Sequence, residues 1–151
     1  RGNFGQTAYS AAKAGIAAFA RTWSMELARA NVTVNAIVPN AMTAMTETVP
    51  ALAPFADLIK RGEALPDKVR QDFGLGGPED VAPLFVYLAS ERSHGLTGQC
   101  IGLGGDRLSV WAHPVEAGHR LHAGGWSVED LAEALEGPLE AARQSVGIEF
   151  I

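Results

Sequence analysis

Apolar side chains recur along this chain with two different periods, which predict helices and strands in alternation. Between residues 8 and 30 they return every three or four positions, as at Ile16 and Phe19, and this predicts one long helix. The β-branched run over residues 32–38 ends at Pro39, as expected of a strand buried in a parallel sheet. A helix followed by such a strand is typical of an α/β fold.

The later part of the chain contains a second helix and strand and a long irregular stretch. Residues 40–77 mix periods and carry several prolines, so we expect a functional excursion with short helices there. Residues 78–88 predict a helix with acidic residues at its positive end, and residues 99–103 predict a second buried strand before a tight turn. Beyond these we expect a short helix that ends at Leu121 and a further helix from Ser127.

The number of strands limits the fold. Only two are convincing, whereas a doubly wound sheet commonly contains five or more. We therefore expect an α/β fold with a doubly wound, Rossmann-like parallel sheet whose N-terminal strands are absent from this chain. With 151 residues the chain has room for one domain of ordinary size, and its opening at Arg1 favours a piece of a longer protein.

Composition and charge exclude several classes of protein. Charged residues make up 19% of the chain, below the usual share of about 25%, so we expect further burial in an oligomer. The net charge is -5 and no basic cluster is present, which argues against nucleic acid or an anionic membrane as partner. The apolar run over residues 14–20 is too short to span a bilayer. The single cysteine, Cys100, fits a reducing compartment, so we predict a cytoplasmic protein.

Several histidines and tryptophans are better explained by structure than by chemistry. His113, His119 and His122 have no carboxylate or cysteine that would complete a ligand set, so no metal is predicted. Trp23 and Trp111 are predicted to be core or interface aromatics.

Tyr9 and Lys13 are the candidate catalytic pair. They are four residues apart near the start of the long helix, which places both side chains on one face within about 6 Å. A phenol alone is a poor proton donor or acceptor at neutral pH, but an adjacent ammonium favours its ionised form. One exposed lysine supplies less than the roughly 4 kcal/mol needed, and a positively charged nicotinamide ring beside the pair would supply the rest. Because this spacing is common on surface helices, the surrounding sequence must show whether the pair is catalytic.

Four sequence blocks surround the pair in a fixed order. They are Gly-Asn-Phe-Gly-Gln at 2–6, Tyr-Ser-Ala-Ala-Lys-Ala-Gly at 9–15, Asn-Ala-Ile-Val-Pro at 35–39, and Leu-Thr-Gly-Gln at 96–99 ahead of Gly104 and Gly105. Over residues 2–110 this order resembles the second half of a short-chain dehydrogenase/reductase. The stretch 39–49, with the first block, is similar to the (3R)-hydroxyacyl-CoA dehydrogenase part of peroxisomal multifunctional enzyme type 2 and its bacterial relatives.

The resemblance implies how the chain is organised. Residues 1–110 would be the C-terminal half of a dinucleotide-binding dehydrogenase domain, and residues 111–151 a helical C-terminal extension of the same domain. In the family, the glycine-rich phosphate turn and the catalytic serine lie upstream of the position of Tyr9. We therefore expect this piece alone to be inactive. The loop over residues 46–68 would close over an acyl chain.

The resemblance also assigns roles to single residues. Tyr9 would be the general acid/base on the substrate oxygen, and Lys13 would hold the nicotinamide ribose. The other cofactor-binding positions share one segment after the first strand, where two would border the nicotinamide and three would meet its carboxamide through backbone groups and a hydroxyl. In that order they are Pro39, Asn40, Ala41, Met42 and Thr43.

The implied activity is hydride transfer between NAD or NADP and a secondary alcohol or ketone. The favoured substrate is a 3-hydroxyacyl or 3-oxoacyl thioester, and a steroid or other bulky alcohol is the first alternative. The second alternative is a non-catalytic fragment or scaffold subunit. Small residues along one face of the long helix, such as Ala11 and Gly15, predict pairing with the same helix of another copy in a homodimer or homotetramer.

Overall fold

The computed structural model describes residues 4–145, in which helices and strands alternate as predicted. These residues form two compact units. One consists of residues 11–112, and the other combines residues 4–10 with residues 113–145. No helix within residues 4–145 is both long enough and apolar enough to cross a membrane.

Three strands form a mixed sheet. They are β1, Ala36–Pro39; β2, Cys100–Gly104; and β3, Arg107–Val110, in the spatial order β1-β2-β3. β1 and β2 are parallel, with Ala36 opposite Cys100, whereas β2 and β3 are antiparallel. The two predicted parallel strands are therefore confirmed.

β1 is shorter than the strand predicted over residues 32–38. Backbone and side-chain bonds together hold the residues that precede it, because the Gly98 amide donates to the Val34 carbonyl at 2.7 Å and side chains take the place of the other ladder bonds. The Val34 amide donates to the Thr97 hydroxyl at 2.9 Å, and the Gln99 amide donates to the Asn35 side-chain oxygen at 3.0 Å. These bonds satisfy backbone groups that a strand ladder would otherwise pair, so the extended run enters the sheet only at its end.

β3 was not predicted from the sequence. The tight turn expected after β2 is confirmed, because Gly105 adopts a φ of 51° and the chain reverses there. The four residues that follow are mostly exposed and contain only two apolar side chains, Leu108 and Val110. Such a short half-apolar run cannot be distinguished from a loop by its periodicity.

The long helix, α1, spans Thr7–Glu26 and is followed by a 3-10 turn that ends at Asn31 with a φ of 55°, so the predicted helix and its stop are confirmed. Within the described chain, α1 buries only Ala20 and Ser24. Trp23 is 50% exposed and stacks on Phe19 with the ring centroids 5.4 Å apart. Its prediction as a core residue of this chain is therefore wrong, and the interface alternative stays a prediction.

Besides several short 3-10 helices, the described chain contains four further α-helices. α2, Ala53–Lys60, and α3, Asp67–Gln71, lie in the excursion between β1 and the next helix, as expected. α4, Pro78–Leu88, and α5, Val128–Glu136, confirm the two predicted helices with acidic first turns. α5 begins with a capping box, in which the Ser127 hydroxyl accepts from the Asp130 amide at 3.1 Å.

The short helix predicted to end at Leu121 is wrong. Residues 111–126 contain turns and bends but no helix. Pro114 lacks a backbone donor and Gly118 disfavours helix, and every side chain in this stretch is exposed. Trp111 is 50% exposed as well, so its prediction as a core aromatic of this chain is also wrong.

A buried apolar cluster of the larger unit lies in the excursion. One cluster of buried side chains joins the segment after β1 to α2 and α3, and it consists of Met42, Ala56, Leu65, Val69 and Leu75. Partly buried apolar residues from α2 pack against this cluster. The excursion is therefore a packed substructure that holds the end of β1 from one side.

Candidate functional site

Tyr9 and Lys13 both lie on α1, near its N-terminus. Because they are four residues apart in a regular helix, their side chains project from the same face. Both residues are exposed, and Tyr9 retains 57% of its accessible surface. A phenol and an ammonium group thus lie one turn apart on this helix.

The segment that follows β1 is fixed by backbone hydrogen bonds. The Asn40 amide donates to the Leu103 carbonyl at 3.1 Å, which continues the parallel ladder with β2. The Asn40 side chain donates to the Phe73 carbonyl at 2.6 Å. On the next residues, the Met42 amide donates to the Gly76 carbonyl at 2.7 Å. The carboxyl end of a parallel strand, where α/β folds bind ligands, is thus tied to residues 73–76.

The backbone amides of Met42 and Thr43 already have partners within the chain, which the sequence did not indicate. The Met42 side chain is only 5% exposed and belongs to the apolar core, and its amide already has an acceptor. The Thr43 amide donates to the Thr46 hydroxyl, and the two hydroxyl oxygens are 3.2 Å apart. Thr46 also donates to the Ala41 carbonyl at 3.2 Å, so it organises the whole segment. Sequence analysis missed this residue, although the Thr-x-x-Thr spacing is a local signal for such a turn.

Arg70 on α3 forms the largest charged cluster of this unit. Its guanidinium donates to Asp80 through Nη1 at 3.2 Å and Nη2 at 3.0 Å, and to Asp106 through Nε at 2.8 Å. Hydrogen bonding from this guanidinium lowers the pKa of Asp80, which also accepts from the Gly77 amide at 2.8 Å. Sequence analysis missed the cluster because Arg70 is 10 positions from Asp80 and 36 from Asp106, and no local pattern joins them.

A cavity of about 550 Å³ opens on the sheet beside the end of β1. Its walls combine backbone of β1 and β2 with side chains of β3 and of the excursion. The side chains with polar or aromatic character that line it are those of Asn40, Phe73, Arg107, Ser109 and Trp111. Arg107 is held there by a hydrogen bond from its Nη1 to the Asp72 carbonyl at 2.7 Å.

His122 makes local contacts in the C-terminal part of the described chain. His122 Nδ1 lies 2.6 Å from the Gly125 carbonyl oxygen, and its ring lies 5.2 Å from that of Trp126. In residues 4–145, no three histidine, cysteine or acidic side chains come together as a metal site. Cys100 is half-buried in β2.

The chemistry of these groups fits the nicotinamide end of a dinucleotide. Lys13 offers donors suited to ribose hydroxyls, and Tyr9 offers a hydroxyl that can donate or accept a proton. Asn40 and its neighbours follow the carboxyl end of β1, and ligands bind at the carboxyl ends of strands in doubly wound folds.

Comparison with known proteins shows which family the chain belongs to. A family described as Enoyl-(Acyl carrier protein) reductase matches residues 1–105. The chain is 43% identical over 106 residues to 3-oxoacyl-(acyl-carrier-protein) reductase FabG of Thermotoga maritima, covering 69% of this chain and 39% of that protein. It is 36% identical over 107 residues to human (3R)-3-hydroxyacyl-CoA dehydrogenase, covering 69% of this chain and 37% of that protein.

A solved structure extends the comparison to nearly the whole chain. The crystal structure of a short chain dehydrogenase from Mycobacterium avium matches with a TM-score of 0.66 and 35% identity, covering 97% of this chain and 43% of that one. The chain thus spans about two fifths of the length of these relatives. The family match over most of the chain, together with this shared fold, shows that the chain belongs to the short-chain dehydrogenase/reductase family.

Proposed function

We propose that this chain supplies the catalytic tyrosine and lysine and part of the nicotinamide site of an NAD- or NADP-dependent oxidoreductase. The observation that carries the proposal is the exposed Tyr9 and Lys13 on one face of α1 in a chain of this family. The reaction would interconvert a secondary alcohol and a ketone. The bound nicotinamide would accept or donate the hydride.

Tyr9 would exchange the proton at the substrate oxygen. In the oxidative direction, its phenol oxygen takes the hydroxyl proton while the carbinol carbon loses hydride, and in reduction it returns the proton to the carbonyl oxygen. Lys13 would hold the ribose hydroxyls and would stabilise negative charge on the phenol oxygen through its ammonium. Its position one helical turn from Tyr9 allows both roles.

The segment from Pro39 to Thr43 would border the nicotinamide. Pro39 and Asn40 lie at the end of β1 and line the cavity beside the sheet. Because the Met42 amide donates to Gly76 and the Ala41 carbonyl accepts from Thr46, a carboxamide would meet the second lone pair of the Ala41 carbonyl, the Met42 carbonyl and the Thr43 hydroxyl. Residues 46–68 would cover the substrate.

The substrate we favour is a 3-hydroxyacyl or 3-oxoacyl thioester. Two similar proteins carry names for such chemistry, a 3-oxoacyl-(acyl-carrier-protein) reductase and a (3R)-3-hydroxyacyl-CoA dehydrogenase.

We further propose that residues 111–151 extend the same domain and that the active form is a homodimer or homotetramer. The small residues along one face of α1, such as Ala11 and Gly15, would let a second helix approach closely for such pairing.

The decisive experiment is Tyr9→Phe in the full-length enzyme that carries this chain. Turnover of a 3-oxoacyl thioester should fall by about 100-fold or more, with unchanged affinity for the cofactor, because only the proton relay is removed. Tyr87→Phe is the matched control, since Tyr87 is the chain's other tyrosine and its hydroxyl bonds only weakly to the Arg92 carbonyl at 3.4 Å. Near-normal turnover of the Tyr9 variant would refute the role. Full turnover on a steroid but not on a thioester would favour the bulky-alcohol alternative, and an enzyme that binds no nicotinamide would favour a scaffold.

A further inference from the structure

Arg70 links three parts of the fold, namely α3, α4 and the turn between β2 and β3. Its guanidinium from α3 reaches Asp80 in the first turn of α4 and Asp106 in the turn between β2 and β3. The side chains of Arg70 and Asp80 are only 27% and 20% exposed, so this pair is shielded more than an ordinary surface ion pair. The two-pronged contact to Asp80 fixes the orientation of both planar groups.

Backbone hydrogen bonds hold the same parts of the fold together. The Asp106 amide donates to the Arg70 carbonyl at 3.1 Å, and the Leu75 amide donates to the Val69 carbonyl at 3.0 Å. Glycine is needed where the chains pass each other. A Cβ built on Gly76 would lie 2.7 Å from the Gly105 nitrogen, too close for any real side chain.

These contacts continue directly into the segment after β1. Gly76 accepts from the Met42 amide at 2.7 Å and faces Ala41 in a parallel bridge. Phe73, three residues earlier, accepts from the Asn40 side chain at 2.6 Å. The residues that would border the nicotinamide are therefore attached to residues 73–76, and residues 73–76 are anchored at one end by the Arg70 cluster.

We propose that Arg70 is a positioning residue for the nicotinamide site. Its guanidinium holds Asp80 and Asp106 together and thereby sets the position of residues 73–76, which in turn carry the segment 40–42. Arg70 acts through these residues and contacts no reacting group. The kinetic part of the proposal rests on the proposed function, whereas the structural part can be measured on the protein without any ligand.

The variants separate geometry from charge. Arg70→Ala removes the guanidinium, and Arg70→Lys keeps the charge but cannot make the two-pronged contact to Asp80. Asp106→Asn weakens one arm at a half-exposed position and serves if the Arg70 variants fail to fold. Arg61→Ala is the matched control, because Arg61 is an ion-paired arginine of the same excursion whose partner is the exposed Glu63.

The first readout is amide exchange over residues 40–43 in the full-length protein. Arg70→Ala, Arg70→Lys and Asp106→Asn should exchange these amides faster than wild type, whereas Arg61→Ala should not. Millimolar methylguanidinium should restore slow exchange in Arg70→Ala by binding between Asp80 and Asp106 in place of the missing guanidinium. Unchanged exchange at Met42 in folded Arg70→Ala, or no response to methylguanidinium, would overturn the proposal.

The second readout is the split between KM and kcat. Loss of the Arg70 guanidinium should raise the KM for the nicotinamide cofactor on the order of 10- to 100-fold, with a smaller change in kcat. The reason is that displaced residues 40–42 would bind the nicotinamide ring less well before hydride transfer begins. An equal loss in kcat and kcat/KM, with unchanged cofactor affinity, would contradict the positioning role. If wild type binds no nicotinamide while exchange at Met42 still depends on Arg70, the proposed function fails and the structural part stands.

Discussion

Gly105→Ala is predicted to destabilise the larger unit strongly. Gly105 forms the turn between β2 and β3 with a φ of 51°, in the left-handed region that disfavours other residues. A Cβ there would lie 2.7 Å from the carbonyl oxygens of Arg70 and Leu75 and 3.0 Å from the Arg70 Cα. These neighbours are backbone atoms, so no flexible side chain can move aside.

The magnitude follows from two separate costs. The left-handed conformation costs a non-glycine residue about 1–2 kcal/mol. Ordinary contact begins near 3.4 Å, so two carbonyls must retreat by 0.7 Å, and such overpacking costs about 1–3 kcal/mol. Together they predict a loss of about 2–5 kcal/mol in the free energy of unfolding, or roughly 6–15 °C in Tm at about 3 °C per kcal/mol.

Gly62→Ala is the matched control for this experiment. Gly62 has a φ of 70°, but a Cβ there would meet nothing within 4 Å. It therefore isolates the backbone cost of about 1–2 kcal/mol. Urea unfolding of both variants, followed by circular dichroism, measures the difference. Equal losses of stability in the two variants would refute the close approach between the turn and α3.

Three further predictions concern charge, helix capping and the ammonium of α1. Because Arg70 lowers the pKa of Asp80 below its usual 3.8, the Asp80 carboxylate stabilises the fold above about pH 4 and loses this effect as the pH falls through its folded-state pKa. Asp80→Asn should therefore lose less stability on acidification than wild type, and parallel acid curves would contradict this. Ser127→Ala should cost about 1 kcal/mol by removing the α5 cap, measured by thermal unfolding, whereas Ser127→Asp should cost little. Lys13→Ala should weaken both cofactor binding and turnover in the full-length enzyme, measured by titration and initial rates, and cofactor affinity equal to wild type would contradict the assigned role.

Local patterns carried most of the fold prediction. α1 and α4 follow from apolar periodicity and terminal signals that lie within one stretch of sequence, and β2 follows from a compact apolar run. β3 could not be predicted because its identity as a strand depends on pairing with β2 rather than on its own residues. The short helix before Leu121 was overpredicted because periodicity does not register whether a core exists to receive an apolar face.

The candidate site divides in the same way. Tyr9 and Lys13 could be found because their spacing is set by one helix and their surroundings form a recognisable order. The Arg70 cluster could not, because Arg70 and Asp106 are 36 positions apart and meet only when the excursion packs against the turn. Occupation of the Met42 amide is also a tertiary property, since its acceptor is Gly76.

The stacked Phe19 and Trp23 give the protein an intrinsic optical probe. An indole half open to water emits at long wavelength and is quenched by small solutes, and burial of its other half shifts the emission to shorter wavelength. Trp23 lies on the helix that also holds the ammonium of Lys13, so association along α1 would be recorded without any attached dye. Dilution of the full-length enzyme, with Trp23→Phe as the reference, would measure the association constant from the change in emission of this tryptophan.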